Sequence, residues 1–217
     1  MQWIQQFSNS HIPFYIYRLN KGDCITYTIE LLNHRSIIIL YGIIYLLKIF
    51  TNRETITIAI LKKGDIIKEQ HNLKYANYVL VAGTKSFVMS FSWEDFIKHK
   101  YKKSIFFKKI TECYKETLYK YETMHYILSH KSTKKRIIQL ILFLCKDFAF
   151  IQNNEIIIPF YISQITISLI VGSNKTTVNK ILNELCMIKA IYYSSNKYIC
   201  LKDPFILSYC YNKLYTP

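Results

Sequence analysis

The chain has 217 residues, 51% of them apolar, and carries 29 Lys and Arg against 14 Asp and Glu, a net charge of +15. That length allows two modest domains with real cores. The charge asks for a polyanionic partner, nucleic acid first among them, even after discounting the lysine that AT-rich coding adds everywhere. Six cysteines (Cys24, Cys113, Cys145, Cys186, Cys200, Cys210) contain no CxxC pair, and six histidines contain no HxxxH pair. This argues against a disulfide framework, a zinc site or an iron–sulfur centre, and for buried thiols in a reducing compartment. With no phosphate loop and no nucleophile elbow either, no enzyme is expected, and no catalytic residue, metal ligand or cofactor is assigned. The longest apolar run, residues 37–47, includes Tyr41 and Gly42 and stops at Lys48. It is too short to span a membrane. No signal peptide is visible at the start.

Residues 1–12 read as a short lead-in. From 14 to 91 the pattern is of strands: 14–19, 24–28, 36–40, 43–50, 55–61, 78–82 and 86–90, separated by turn signals at 20–23, 51–54 and 63–65. Residues 1–93 are therefore expected to form a small β-barrel or jelly-roll-like domain. Asp23, Asp65 and Glu94 read as turn and cap residues.

Residues 94–130 change character. Phe107, Ile110, Tyr114, Thr117, Tyr121, Met124 and Leu128 recur at alternating steps of three and four. That is the spacing of a long helix paired with another helix. The alternative is a helix packed on its own domain. The dimer is preferred, because the stripe is longer than one small barrel needs.

Residues 131–217 follow without a long linker. Ser132 is expected to cap a helix to about residue 148, with Ile137, Leu140, Ile141, Leu144 and Cys145 as its core stripe. Lys134, Lys135 and Arg136 at its start suit either a DNA backbone or solvent. After a turn at 152–154 and an extended run at 155–161, Ser163 is a good N-cap. Ile167, Ile170 and Val171 form a short apolar helix face. Gly172 breaks it, and Ser173 or Asn174 can cap a second helix with Val178, Ile181, Leu182 and Leu185 inward. The spacing predicts a helix-turn-helix whose outward face carries Ser173, Lys175, Thr176, Asn179 and Lys180, all donors and none acidic. An ordinary helical hairpin with a solvated face would share this pattern. Two β-prone runs, 190–193 and 197–201, then suggest a hairpin wing with Lys197 at its tip, in reach of a phosphate.

Three stretches carry a family resemblance. Residues 41–43 through 61–66 resemble a strand–hairpin–strand ending in a Gly-acidic turn. Residues 130–148 with the following strand look like the passage from a dimer helix to a DNA-binding domain. Residues 172–180 (GSNKTTVNK) are similar to a recognition helix. Together they resemble the Crp/Fnr transcription regulators, and within them the cyanobacterial global nitrogen regulators and their plastid-encoded homologues. The resemblance runs along the whole chain and is strongest over 130–201.

It implies an α+β chain with an N-terminal β-roll like a cyclic-nucleotide-binding domain, a long dimerisation helix and a C-terminal winged helix-turn-helix. It implies a homodimer on palindromic double-stranded DNA, RNA polymerase as a partner, and no membrane. The family's base readers map onto Lys175, Thr176 and Lys180, with lysine where the family usually has arginine at the first and last. Ser163, Ser173, Asn174, Asn179 and Lys197 complete the expected DNA face. Cyclic AMP is disfavoured, because residues 54–135 contain no arginine. The nitrogen regulators' effector, 2-oxoglutarate, is the remaining candidate. Its helix arginine maps onto Thr117 and a glutamate is kept at Glu122; Lys85 or Lys120 could stand in for the lost cation. A β-roll turned scaffold is the alternative. The AT-rich composition and the resemblance point to a plastid stroma or a bacterial cytoplasm.

Overall fold

In a computed structural model, residues 2–27, 35–67, 76–98 and 104–212 are described. The chain divides into two compact units, Met1–Glu122 and Thr123–Pro217. The long helix is therefore not a unit of its own, as the division at 94–130 expected.

The first unit opens with a helix, α1 (Gln2–Asn9), where a lead-in was expected. Trp3 and Phe7, four residues apart, share one face and are buried. Eight strands follow: β1 (Phe14–Leu19), β2 (Cys24–Tyr27), β3 (Arg35–Tyr41), β4 (Ile44–Phe50), β5 (Thr55–Leu61), β6 (Ile66–Ile67), β7 (Ala76–Ala82) and β8 (Ser86–Ser92). They form two antiparallel sheets, ordered β1-β8-β3-β6 and β2-β7-β4-β5. Ile37 and Ile39 of β3 enter the core between the sheets, with Leu46, Leu61, Leu80 and Val88. Ile38, one residue out of phase, faces the other way into a second core. That alternation explains the unbroken apolar run: the strand is covered on both faces. Gly42, at φ +92°, makes the reversal into β4. A Cβ there would come within 2.7 Å of the Lys85 carbonyl oxygen.

The second core is aromatic. Phe7 meets Phe91 at 4.8 Å and Phe106 at 5.3 Å, both edge-on, the arrangement that ring quadrupoles favour. α2 (Trp93–Lys98) and the 26-residue α3 (Ser104–Ser129) supply Phe96, Phe106 and Ile110 to it.

This placement gives part of the expected dimer seam a role within the chain itself. Ile110 and Tyr114 pack in the aromatic core, and Tyr121 packs on the inter-sheet core. The Tyr114 hydroxyl bonds Ser36 at 2.9 Å. Thr117 is buried and takes the Ile66 N–H at 3.0 Å. Met124 is buried and Leu128 half-buried, while Phe107 is 51% exposed. From Ile110 to Tyr121 the stripe packs on the chain's own β-roll, each fully buried side chain contributing about 1.5–3 kcal/mol.

The second unit contains α4 (Thr133–Phe148), β9 (Phe150–Gln152), β10 (Glu155–Ile157), α5 (Gln164–Val171), α6 (Lys175–Met187), β11 (Tyr192–Tyr193), β12 (Ile199–Leu201) and α7 (Pro204–Asn212). Its sheet runs β11-β12-β10-β9. Asn153 and Asn154 turn β9 into β10 at φ +50° and +60°, which asparagine tolerates better than most residues. Ile137, Ile141, Leu144, Ile170, Val178, Leu182, Leu185 and Leu201 are all buried.

Candidate nucleic-acid interface

The helix-turn-helix is built by its caps. The Ser163 hydroxyl accepts the Thr166 N–H at 3.0 Å and starts α5. Gly172 ends it in the left-handed region at φ +61°, its N–H returning to the Ser168 carbonyl. The Asn174 carboxamide oxygen accepts the Thr177 N–H at 2.7 Å and starts α6. Ser168, small and buried, donates its hydroxyl to Ile165 O at 2.8 Å.

These caps revise the expected contact set. Ser163 and Asn174 spend their side-chain acceptors on helix starts, and Thr176 bonds Asn174 at 2.9 Å. Asn179 receives the Gln164 amide at 2.9 Å, joining the two helices across their outer face. Ser173 is half-buried. Lys175, Lys180 and Lys197 are exposed. At about 100° per residue, Lys175, Asn179, Asn183, Thr176 and Lys180 span an arc of about 140° opposite the buried Val178, Ile181, Leu182 and Leu185. Asn183, near the middle of that arc and exposed, was missed from sequence. Its place four residues after Asn179 is the signal that would have found it.

At the basic start of α4, Lys134 and Arg136 have partners within the chain. Lys134 pairs with Glu184 of α6 at 3.0 Å. The Arg136 guanidinium donates to His130 O at 2.7 Å and Val171 O at 2.9 Å, and more weakly to Gly172 O at 3.4 Å. Both side chains brace the helix-turn-helix from behind.

Beside the arc lies a cleft of about 320 Å³, lined by Tyr161–Ile165, Lys175, Tyr193 and Lys197. It joins the start of α5, the first residue of α6 and the wing. Tyr192 and Tyr193 pair with Cys200 and Ile199. Lys197 holds the tip at φ +59°, its N–H bonded to Ser194 O at 2.8 Å. Burial chiefly, then Cys186 and Tyr161, push the Tyr193 phenol up to about 12, so it stays a proton donor. Burial also pushes the Cys145 thiol up to about 11 and raises Cys186, which keeps both as thiols.

The two residues of the expected effector pair lie on different faces of α3. The Thr117 hydroxyl is committed to Ile66 N–H and to Cys113 O at 3.0 Å. Glu122, five residues on and exposed, points about 140° away. Lys120, one suggested replacement cation, is buried in an ion pair with Asp65, whose carboxylate also accepts the Lys62 N–H at 2.6 Å.

No family model matches the sequence. A curated protein of Porphyra purpurea, named "Putative HTH-type transcriptional regulator ycf28", is 27% identical over 212 residues, 95% of this chain and 86% of that one. Among solved structures, a CooA variant from Carboxydothermus hydrogenoformans is similar at TM-score 0.72 and 17% identity, over 91% of this chain and 88% of its own. FixK2 from Bradyrhizobium japonicum gives 0.70 and 16%, over 91% and 97%. A CRP/FNR family transcriptional regulator from Thermus thermophilus gives 0.66 and 18%, over 91% and 98%. The chain has the Crp/Fnr fold. In that fold it keeps the β-roll, the long helix and the winged helix-turn-helix. Among the described residues, no helix is long and apolar enough to cross a membrane.

Proposed function

We propose that this chain is a sequence-specific DNA-binding transcription regulator that works as a homodimer on a palindrome. The observation that carries the reading is the capped helix-turn-helix with its solvent-facing arc of Lys175, Thr176, Asn179, Lys180 and Asn183, free of carboxylates and flanked by Lys197. Lysine donates to guanine O6 and N7, and asparagine serves adenine N6 and N7. The name of the Porphyra purpurea relative supports the same reading.

The second copy docks on the exposed apolar side chains of α3, which include Phe107 of the expected seam. Phe107, Leu118 and Tyr126 are each more than half exposed there, with Tyr119 beside them. Two-fold pairing would set the two recognition helices about one duplex turn, roughly 34 Å, apart. Selecting bound fragments from a random duplex pool tests the whole reading: a palindromic consensus is expected, and bound fragments with no shared sequence would overturn it.

The β-roll acts as a scaffold rather than a sensor. Its interior is filled by Ile37, Ile39, Leu46, Leu61 and Leu80, and its one fully buried ammonium among the described residues is paired with Asp65. Neither 2-oxoglutarate nor cyclic AMP is expected to give heat on titration; saturable heat from either would restore the sensor reading. RNA polymerase as a partner, nitrogen-responsive genes as targets and the plastid stroma as the site of action follow from the resemblance and belong to this same proposal.

A further inference from the structure

A single bond between carboxamides ties the two helices of the helix-turn-helix across their outer face. Gln164, the first residue of α5, donates from Nε2 to Oδ1 of Asn179 on α6 at 2.9 Å. The fold fixes both ends. The Ser163 cap sets where α5 begins, and so where the Gln164 side chain leaves the backbone. Val178 and Leu182, both buried, set the rotation of α6 and with it the direction of Asn179. Gln164 is half-buried and Asn179 exposed, on the same face as Lys175, Thr176, Lys180 and Asn183.

A carboxamide carries its carbonyl oxygen and its NH2 group on one planar carbon, pointing apart. An unconstrained asparagine turns easily about its last bond and can serve both groups of adenine, donating to N7 and accepting from N6. The Asn179 amide is constrained. With Oδ1 drawn towards α5, Nδ2 is directed away from α5, and its N–H groups are left for whatever meets the helix. In a major groove such a donor fits guanine, whose O6 and N7 both accept; thymine offers one acceptor, O4. Against the amino groups of adenine and cytosine it sets donor against donor. The bond is made before DNA arrives, so the orientation is already chosen when the groove is met.

We propose that Gln164 is a positioning residue for base recognition: it holds the Asn179 amide with Nδ2 outward, so that Asn179 reads guanine and rejects adenine. This rests on the DNA-binding reading and deepens it. Asn183, one turn further along the same face, lies outside this bond and keeps the adenine pattern. Two copies of one residue type on one helix thus read different bases, because a neighbouring helix orients one of them.

The experiment compares base preference. Fragments are selected from a random duplex pool with the full chain and with Asn179→Ala, Gln164→Ala and Gln164→Glu, and affinities are then measured on duplexes that differ at one base pair. Asn179→Ala should relax one position of each half-site. In the parent protein that position should be guanine, favoured over adenine by about tenfold or more. Gln164→Ala should bring this ratio close to one by admitting adenine, with the other positions unchanged. Gln164→Glu should invert it. A carboxylate only accepts, so it draws Nδ2 towards α5 and turns Oδ1 outward, to the amino groups of adenine or cytosine. Its negative charge weakens every duplex alike and leaves the ratio untouched. A glutamate also suits the start of a helix, which keeps a folded variant in the comparison; equal circular dichroism and melting temperature check each one. The proposal is overturned if both Gln164 variants keep the parent's base at that position, since a bond that only steadies the helices changes affinity and not preference. It is also overturned if the parent prefers adenine there, or if Asn179→Ala relaxes no position. A parent protein that selects no shared sequence would sink the DNA-binding reading itself, whereas a shared palindrome with these preferences unmoved sinks the positioning role alone.

Discussion

The two units use the same polar residue types in opposite directions. In the β-roll, Lys120 is buried and paired to Asp65, Thr117 bonds a strand N–H, and Tyr114 bonds Ser36; each polar atom is spent inward. In the winged unit, Lys175, Lys180 and Lys197 stand in solvent, while the inward-turned polar side chains hold helix ends in place. A lysine count cannot tell a strut from a reader. What separates them is whether a carboxylate sits within reach, which only the folded chain decides.

The largest effect that tests this contrast is at Lys120. Lys120→Ala would leave the Asp65 carboxylate buried without its partner, and a loss of about 3–5 kcal/mol is expected in chemical denaturation. Pairing it with Asp65→Asn should recover part of that loss. An Ala variant as stable as the parent would show that the pair is open to water and the contrast false.

Lys180→Ala should leave stability unchanged and cost about 1–3 kcal/mol at one base pair of the selected site. Asn183→Ala should act in the same range, at an adenine. A loss equal on specific and random duplexes would move either residue out of the reading arc.

Asn174→Ala removes a cap and should lower stability by about 1 kcal/mol. If affinity falls by much more than stability, Asn174 contacts DNA as well as capping α6.

On α3, Leu118→Glu should shift sedimentation from dimer to monomer. Tyr121→Ala should instead destabilise the β-roll. The reverse pattern would return the seam to the inward stripe.

The smallest effect is a pH dependence at His130. Burial, then Lys135 and Arg136, hold its imidazole below the usual range. The unfolded chain then binds the proton more readily, so stability is full above about pH 6.5 and falls as pH drops below it. His130→Gln should flatten that slope.

Much of this was legible beforehand. The strand at 55–61 follows from period-two patterning, and that at 14–19 from a β-prone run closed by the turn residues after it. The helix-turn-helix follows from Ser163, Gly172 and Asn174 at the places where caps and a left-handed turn are needed. Ile110, Tyr114 and Tyr121 of the α3 stripe pack on the β-roll, which was not legible because steps of three and four mark a buried face without saying what buries it. A partner helix and the chain's own β-roll leave the same trace. α1 was missed because its burial rests on two residues, Trp3 and Phe7, whose partners lie as far on as Phe106. Within the site, the outward charges could be read off the helix period. The cleft could not, since Tyr161, Lys175 and Lys197 meet only when the wing folds back.

Arginine occurs four times in this chain, at Arg18, Arg35, Arg53 and Arg136. One of the four joins the carbonyl that follows α3 to the two carbonyls at the turn before α6. A flat fork with five N–H groups can serve three acceptors at once, and a single ammonium on a flexible stem cannot fix their angles. The elbow at His130 and the reversal at Gly172 are thus joined through one planar group, so that neither bend can open without loosening the other.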